Sequence, residues 1–168
     1  MRRIEARAVV APAAALGGLI ALALAARAAP TLALVNQSPS LPEGLYLRAA
    51  SDAPGRGAVV AVRQPALARA YLAKLGMPAD VRLLKRVAAV AGDDVCASPG
   101  AVQVGGRRLP VRERDRLGTA LPIWRGCRRL AKGELFLVGD TPASFDSRYF
   151  GPVAAAQVEG VFRKVVRW

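Results

Sequence analysis

At 168 residues the chain has room for one domain and an anchor rather than two full domains. Basic residues outnumber acidic ones 25 to 12. No basic stretch is interleaved with aromatics and no reading helix is recognisable, so the charge reads as an arginine-biased surface or an attraction for anionic lipid, and no nucleic-acid partner is expected. Histidine is absent and cysteine occurs twice, which excludes a Ser-His-Asp triad, a Cys-His pair and a zinc site built on histidine or on thiolates alone. No metal and no cofactor is expected, and a base working near neutral pH must be a carboxylate, a cysteine or a lysine with a lowered pKa.

Arg2, Arg3 and Arg7 precede an uncharged run from Ala8 to Ala26, which Arg27 closes. As a helix this run makes a rod of about 28 Å, close to the hydrocarbon thickness of a bilayer. Pro12 lies in its first turns, where lipid-embedded helices tolerate proline. The N-terminal arginines favour a cytoplasmic N-terminus. Residues 1–30 are therefore expected to be a cytoplasmic tip and single transmembrane anchor, and residues 31–168 an extracytoplasmic domain. The small residues of Ala25–Ala29 also fit a cleaved signal peptide. Against that, the apolar run exceeds a usual signal-peptide core and Pro30 disfavours the cut, and either reading exports the domain.

Behind the anchor, V-N-Q-S-P-S-L-P-E-G-L-Y-L (Val35 to Leu47) holds Ser40 between Pro39 and Pro42, with Gly44 free to turn. Such a stiffened loop could hold a nucleophile. An ordinary polar linker has the same composition, and the residues alone do not separate the two. A strand is predicted over Gly57 to Arg63. Pro65 to Gly76 reads as an amphipathic helix, with Leu67, Tyr71 and Leu75 at four-residue spacing between a proline start and a glycine stop.

Val81 to Val90 reads as a long strand. Sorted by period two, Val81, Leu83, Lys85, Val87 and Ala89 share one face, and Arg82 and Arg86 lie on the other. Lys85 is the only polar residue of its row. Desolvation there lowers an amine's pKa by several units and makes it a general base, unless the side chain snorkels to water at the sheet margin. Cys96 and Cys127 most simply pair in an oxidising compartment, the alternative being two buried thiols. Ala101 to Leu109 reads as a hairpin turning at Gly105-Gly106. Arg112 to Arg129 is polar and unpatterned, a surface excursion. Glu134 to Asp140 is a further strand. The expected class is mainly β, with one or two short helices behind a single N-terminal transmembrane helix.

Three segments in order, S-L-P-E-G-L-Y (Ser40 to Tyr46), K-R-V-A-A-V-A-G-D-D-V (Lys85 to Val95) and S-F-D-S-R-Y-F-G-P-V (Ser144 to Val153), resemble the boxes of the bacterial signal peptidase I family. The form S-x-P-x-G-x-Y, the A-R-A-Y-L helix and the cysteine pair are similar to its conjugative-transfer branch, called TraF. G-D-T-P at Gly139 to Pro142, where ordinary signal peptidases carry G-D-N-R, suits that branch. The resemblance runs from about Asn36 to Val153. It implies that Ser40 attacks the scissile carbonyl and Lys85 exchanges its proton. It further implies that Ser38 and the Ser40 N–H form an oxyanion hole, that Ser144 orients the lysine amine, and that Asp146 and Arg148 form an ion pair behind the site. The implied partners are an exported precursor with small residues before the cut, membrane lipid and a conjugative secretion apparatus. The implied place is a bacterial inner membrane, with the catalytic domain periplasmic. A general signal peptidase for secreted proteins and a non-catalytic secretion-channel component are the alternatives. A self-cleaving repressor is disfavoured, because no DNA-binding module precedes the domain.

Overall fold

The computed structural model describes residues 15–20, 30–50 and 53–168. The chain divides into two units, Met1–Thr31 and Leu32–Trp168. In the first, residues 15–20 are helical and exposed. Most of the anchor expected over Ala8 to Ala26 lies outside the described residues, and among those described no helix is long and apolar enough to cross a membrane.

The second unit is mainly β. Its larger sheet has seven strands in the order β1-β2-β11-β3-β4-β9-β10. They are β1 (Ala33–Asn36), β2 (Gly44–Arg48), β3 (Val59–Val62), β4 (Leu83–Ala89), β9 (Glu134–Val138), β10 (Val153–Ala154) and β11 (Val158–Val166). A second sheet has the order β7-β6-β5-β8, from β5 (Asp94–Ser98), β6 (Ala101–Val104), β7 (Arg107–Pro110) and β8 (Cys127–Arg129). Two short helices, α1 (Ala66–Lys74) and α2 (Ser147–Phe150), complete it with one 3-10 turn at Ala155–Gln157.

Side-chain alternation along the central strands sorts residues into separate cores. Val60 and Val62 of β3, Leu83 and Val87 of β4, and Leu135 and Leu137 of β9 pack with Tyr71, Leu72 and Phe150 of the helices. Their neighbours Phe136 and Val138 face Val95, Val102 and Val104 of the smaller sheet. Leu84 and Ala61 join Leu41, Tyr46 and Phe162 in a third cluster.

Several expectations need correction. In α1 the buried residues are Ala68, Tyr71 and Leu72, whereas Leu67 and Leu75 are exposed. Four-residue steps drift about 40° each around a helix, so three of them do not share a narrow stripe. Ala89 does not stay in the row of Lys85. The pairing of β4 with β9 shifts register between Val87 and Ala89, and the irregularity delivers Ala89 to the cluster beneath the smaller sheet. The segment from Arg112 to Arg129 is more than a surface excursion: Trp124 packs edge-on against Phe136 at 5.6 Å, and its last residues form β8.

The longest strand, β11, has no counterpart among the predicted elements. It pairs with β3 through Val158 to Phe162 and with β2 through Phe162 to Val166, so it joins the two halves of the sheet. Only Val161 and Phe162 are buried along it, and Glu159, Arg163 and Lys164 interrupt any alternation. Gly44, at the start of β2, is held against it. Its φ is +146°, and a Cβ there would run into the Val166 carbonyl.

The predicted hairpin forms, with Gly105 and Gly106 at φ of 55° and 73°. Cys96 and Cys127 are directly opposed across β5 and β8 and form a disulfide. Closing a loop of 31 residues stabilises the domain by about 3–4 kcal/mol on the chain-entropy estimate.

Candidate active site

Ser40 lies in the turn between β1 and β2, and the turn is clamped from three directions. Asn36, buried at the end of β1, donates from Nδ2 to the carbonyls of Ser38 (2.9 Å), Leu41 (2.9 Å) and Pro42 (3.2 Å). Its Oδ1 accepts from the Ser38 N–H, an Asx-type closure. Tyr46 donates its hydroxyl to the Pro42 carbonyl at 2.7 Å. Asp140, after β9, donates its backbone N–H to the Ser40 carbonyl at 2.6 Å. Leu41 is buried as a plug. The serine is therefore fixed by backbone bonds that leave its hydroxyl for side-chain partners.

Lys85 sits mid-strand on β4, in the row of Leu83 and Val87, and is 5% exposed. Its Nζ donates to Ser40 Oγ at 3.0 Å. Burial is the main influence on this amine and lowers its pKa to about 8; nearby Asp146 opposes the shift and Arg148 adds to it. Ser38 donates its hydroxyl to Ser40 Oγ at 3.1 Å, and the Ser40 N–H donates to Ser38 Oγ at 3.3 Å.

Behind the pair, Asp146 and Arg148 are fully buried. Asp146 caps α2 by accepting the Arg148 N–H. Arg148 Nε donates to Asp146 Oδ1 at 2.8 Å and one Nη to Oδ2 at 2.7 Å. The remaining guanidinium N–H groups reach the carbonyls of Pro110, Thr141 and Ser144. Asp146 Oδ2 also accepts the Gly139 N–H at 2.9 Å. One connected path thus runs from the ion pair through Gly139 and Asp140 to the Ser40 carbonyl. On the outside, Arg86 holds the Asp140 carboxylate with two bonds of 2.8 Å, which keeps that carboxyl below its ordinary pKa.

The Ser40 and Lys85 side chains open onto a cleft of about 700 Å³. Apolar residues of α1, Met77 and Leu83 line it with the loops at 112–117 and 141–145. Tyr71 donates its hydroxyl to Asp115 at 3.0 Å across this space; burial first, and the carboxylate next, push the phenol up to about 12.

Residues 3–168 match the family described as signal peptidase, peptidase S26. The chain belongs to this family. Two relatives from Escherichia coli are each named plasmid transfer protein TraF. One is 38% identical over 92% of this chain and 94% of its own length. The other is 35% identical over 100% of this chain and 98% of its own. A solved signal peptidase I from Enterococcus faecalis matches at 24% identity with a TM-score of 0.41, over 67% of this chain and 98% of that one.

In this member of the family the residues singled out by resemblance occupy one neighbourhood. Ser38, Ser40 and Lys85 are hydrogen-bonded together, and Asp146 and Arg148 form the buried pair. Ser144 is buried and lines the cleft with Lys85, but among the described residues its hydroxyl has no hydrogen-bond partner. Asn36 and the Arg86–Asp140 pair were not anticipated. The Asn-x-Ser spacing at 36–38 is the one local signal that points to a clamp. Arg86 and Asp140 are 54 residues apart and have none.

Gly139 has no positive φ, yet it has no space for a side chain. A Cβ would collide with the Ser144 side chain and come within 2.7 Å of the Ser40 carbonyl. Gly139→Ala is therefore expected to push the turn that carries Ser40 away from β9. A displacement of about 1 Å at reacting groups reduces the rate by about 10²-fold, which a fluorogenic cleavage assay on folded variant protein would measure.

Proposed function

We propose that the chain is a membrane-anchored serine endopeptidase that removes leader segments from exported precursors, with Ser40 as nucleophile and Lys85 as general base. The substrate is a pilin or another component of a conjugative transfer system. The observation that carries the reading is the 3.0 Å contact between a serine hydroxyl and a buried amine whose pKa lies near 8. An amine at its ordinary value would be protonated and unable to accept a proton. The names of the two relatives support the conjugative setting.

In the reaction, neutral Lys85 takes the Ser40 proton as Oγ bonds to the scissile carbonyl carbon. The negative oxygen that results turns toward the Ser40 N–H and the Ser38 hydroxyl, which hydrogen-bond each other in the free enzyme. The Lys85 ammonium then gives its proton to the leaving amine as the C–N bond breaks. Water, losing a proton to the same amine, opens the ester and releases Ser40. Ser144, buried and lining the same cleft, orients the amine once substrate is bound. Asp146 and Arg148 hold the supporting loop. The apolar run within residues 1–30 anchors the domain at the outer face of a bacterial inner membrane, where small residues before the cut enter the cleft.

The test is co-expression of the full chain with candidate pilin precursors, the new terminus being identified by mass spectrometry. Processing is expected with the wild type and lost in Ser40→Ala; cleavage retained in that variant overturns the reading. The pH profile is a second check. With a base of pKa about 8, kcat/KM is expected to rise about tenfold per pH unit below that value and level off above it. A rate flat from about pH 6 to 9 removes Lys85 as the base.

A further inference from the structure

The cleft carries more positive charge than the proposed chemistry uses. Arg112, Arg114 and Arg116 occupy alternate positions of one loop and all line it. All three are exposed, and among the described residues none has a carboxylate partner. Arg82, at the same cleft, does have one: it is taken by Glu159 at 2.8 Å.

Among the described residues the one carboxylate lining the cleft, Asp115, already accepts several hydrogen bonds. It accepts from the Tyr71 hydroxyl and from the backbone N–H groups of Leu117 and Thr119. Those bonds also fix the loop, as do the Asp115 N–H to the Thr119 carbonyl and the bridge between Arg114 and Ala120. One Arg114 N–H is spent on the Gly118 carbonyl. Glu113 lies between the arginines in sequence but does not line the cleft. Three guanidinium groups are thus presented on a braced loop, none of them ion-paired, and they outnumber the single carboxylate, Asp115, that lines the cleft beside them.

We infer that this loop is a specificity element: Arg112, Arg114 and Arg116 select a precursor with a glutamate or aspartate close to its scissile bond. The inference rests on the peptidase reading above and adds the chemistry of the substrate. Guanidinium groups suit the task because they bind carboxylates through paired N–H donors and stay charged at every working pH. A partly enclosed cleft also screens such a contact less than open solvent does.

The experiment uses detergent-solubilised full-length protein and fluorogenic peptides with alanine before the scissile bond, paired so that each flanking position carries either Glu or Gln. At one or more positions the Glu peptide is expected to show kcat/KM about fivefold to tenfold above its Gln partner, mainly through KM and diminishing with added salt. Arg112→Glu/Arg114→Glu/Arg116→Glu is expected to invert the preference. Arg→Gln at the same three sites, a milder change if the reversal does not fold, is expected to erase it. Equal rates for every pair, or a preference that survives in these variants, overturns the inference. If no peptide is cut, the peptidase reading fails separately. Fluorescence polarisation of the same labelled peptides on Ser40→Ala protein then still decides whether the arginines prefer Glu. Capture by anionic vesicles that the variants lose, without any Glu over Gln preference, assigns the loop to a lipid surface and also overturns it.

Discussion

Lys85→Met is expected to lower cleavage by about 10⁴-fold or more while making the domain more stable at pH 7 by about 3 kcal/mol. The two effects have one origin. The amine's pKa falls from 10.5 to about 8 on folding, so between those values the unfolded chain binds more protons than the native one. The penalty is fully present below about pH 8 and disappears as the pH rises through about 10.5. Wild-type stability should therefore increase with pH across that window, and the variant should lose this increase. Methionine keeps an unbranched side chain of similar length in the row of Leu83 and Val87 and brings no charge to desolvate. Lys85→Ala separates the terms, because the space it leaves is destabilising by about 2–5 kcal/mol for a large buried side chain. Denaturant titrations of the wild type and both variants at pH 7 and pH 10 give the answer. A methionine variant less stable than wild type at pH 7 would show that the amine is not held at a desolvation cost.

Arg148→Ala is expected to destabilise the domain by about 3–5 kcal/mol, the usual penalty for removing one partner of a buried ion pair. Asp146 is left fully buried with its charge, and the carbonyls of Pro110, Thr141 and Ser144 lose a shared donor. Arg148→Lys should recover little. An ammonium is a compact point charge and cannot reach both oxygens of Asp146 and three carbonyls that a planar fork spans. Thermal denaturation should show a fall of about 10 °C, at about 2–4 °C per kcal/mol for a domain of this size. Any fraction that folds should also carry a displaced pH profile. Arg148 lowers the Lys85 pKa and Asp146 raises it, so losing the arginine moves the acid limb of kcat/KM to higher pH. A structural defect without electrostatic coupling would lower the rate and leave that limb in place.

Chain-local patterns carried much of the outcome. Period-two alternation placed Lys85 in the row of Leu83 and Val87, and paired glycines placed the hairpin at Gly105-Gly106. Both follow from geometry over a few residues. What depends on distant partners was invisible at that range. β11 is recognised as a strand only because β2 and β3 lie on either side of it, since a half-exposed strand with Glu159, Arg163 and Lys164 has no alternation to read. The departure of Ala89 from its row follows from its pairing with β9, and the committed state of Asp115 from Tyr71, 44 residues away.

The amino-acid order by itself determined which side chains exist for chemistry: no imidazole, one lysine in an apolar row, and one serine stiffened by prolines. The tertiary structure alone decided that they meet, across 45 residues of chain, and that the lysine stays dry. Desolvation is a property of everything packed around a group, so the pKa of Lys85 belongs to the assembled sheet, the helices and the Asp146–Arg148 pair rather than to the residue or its strand.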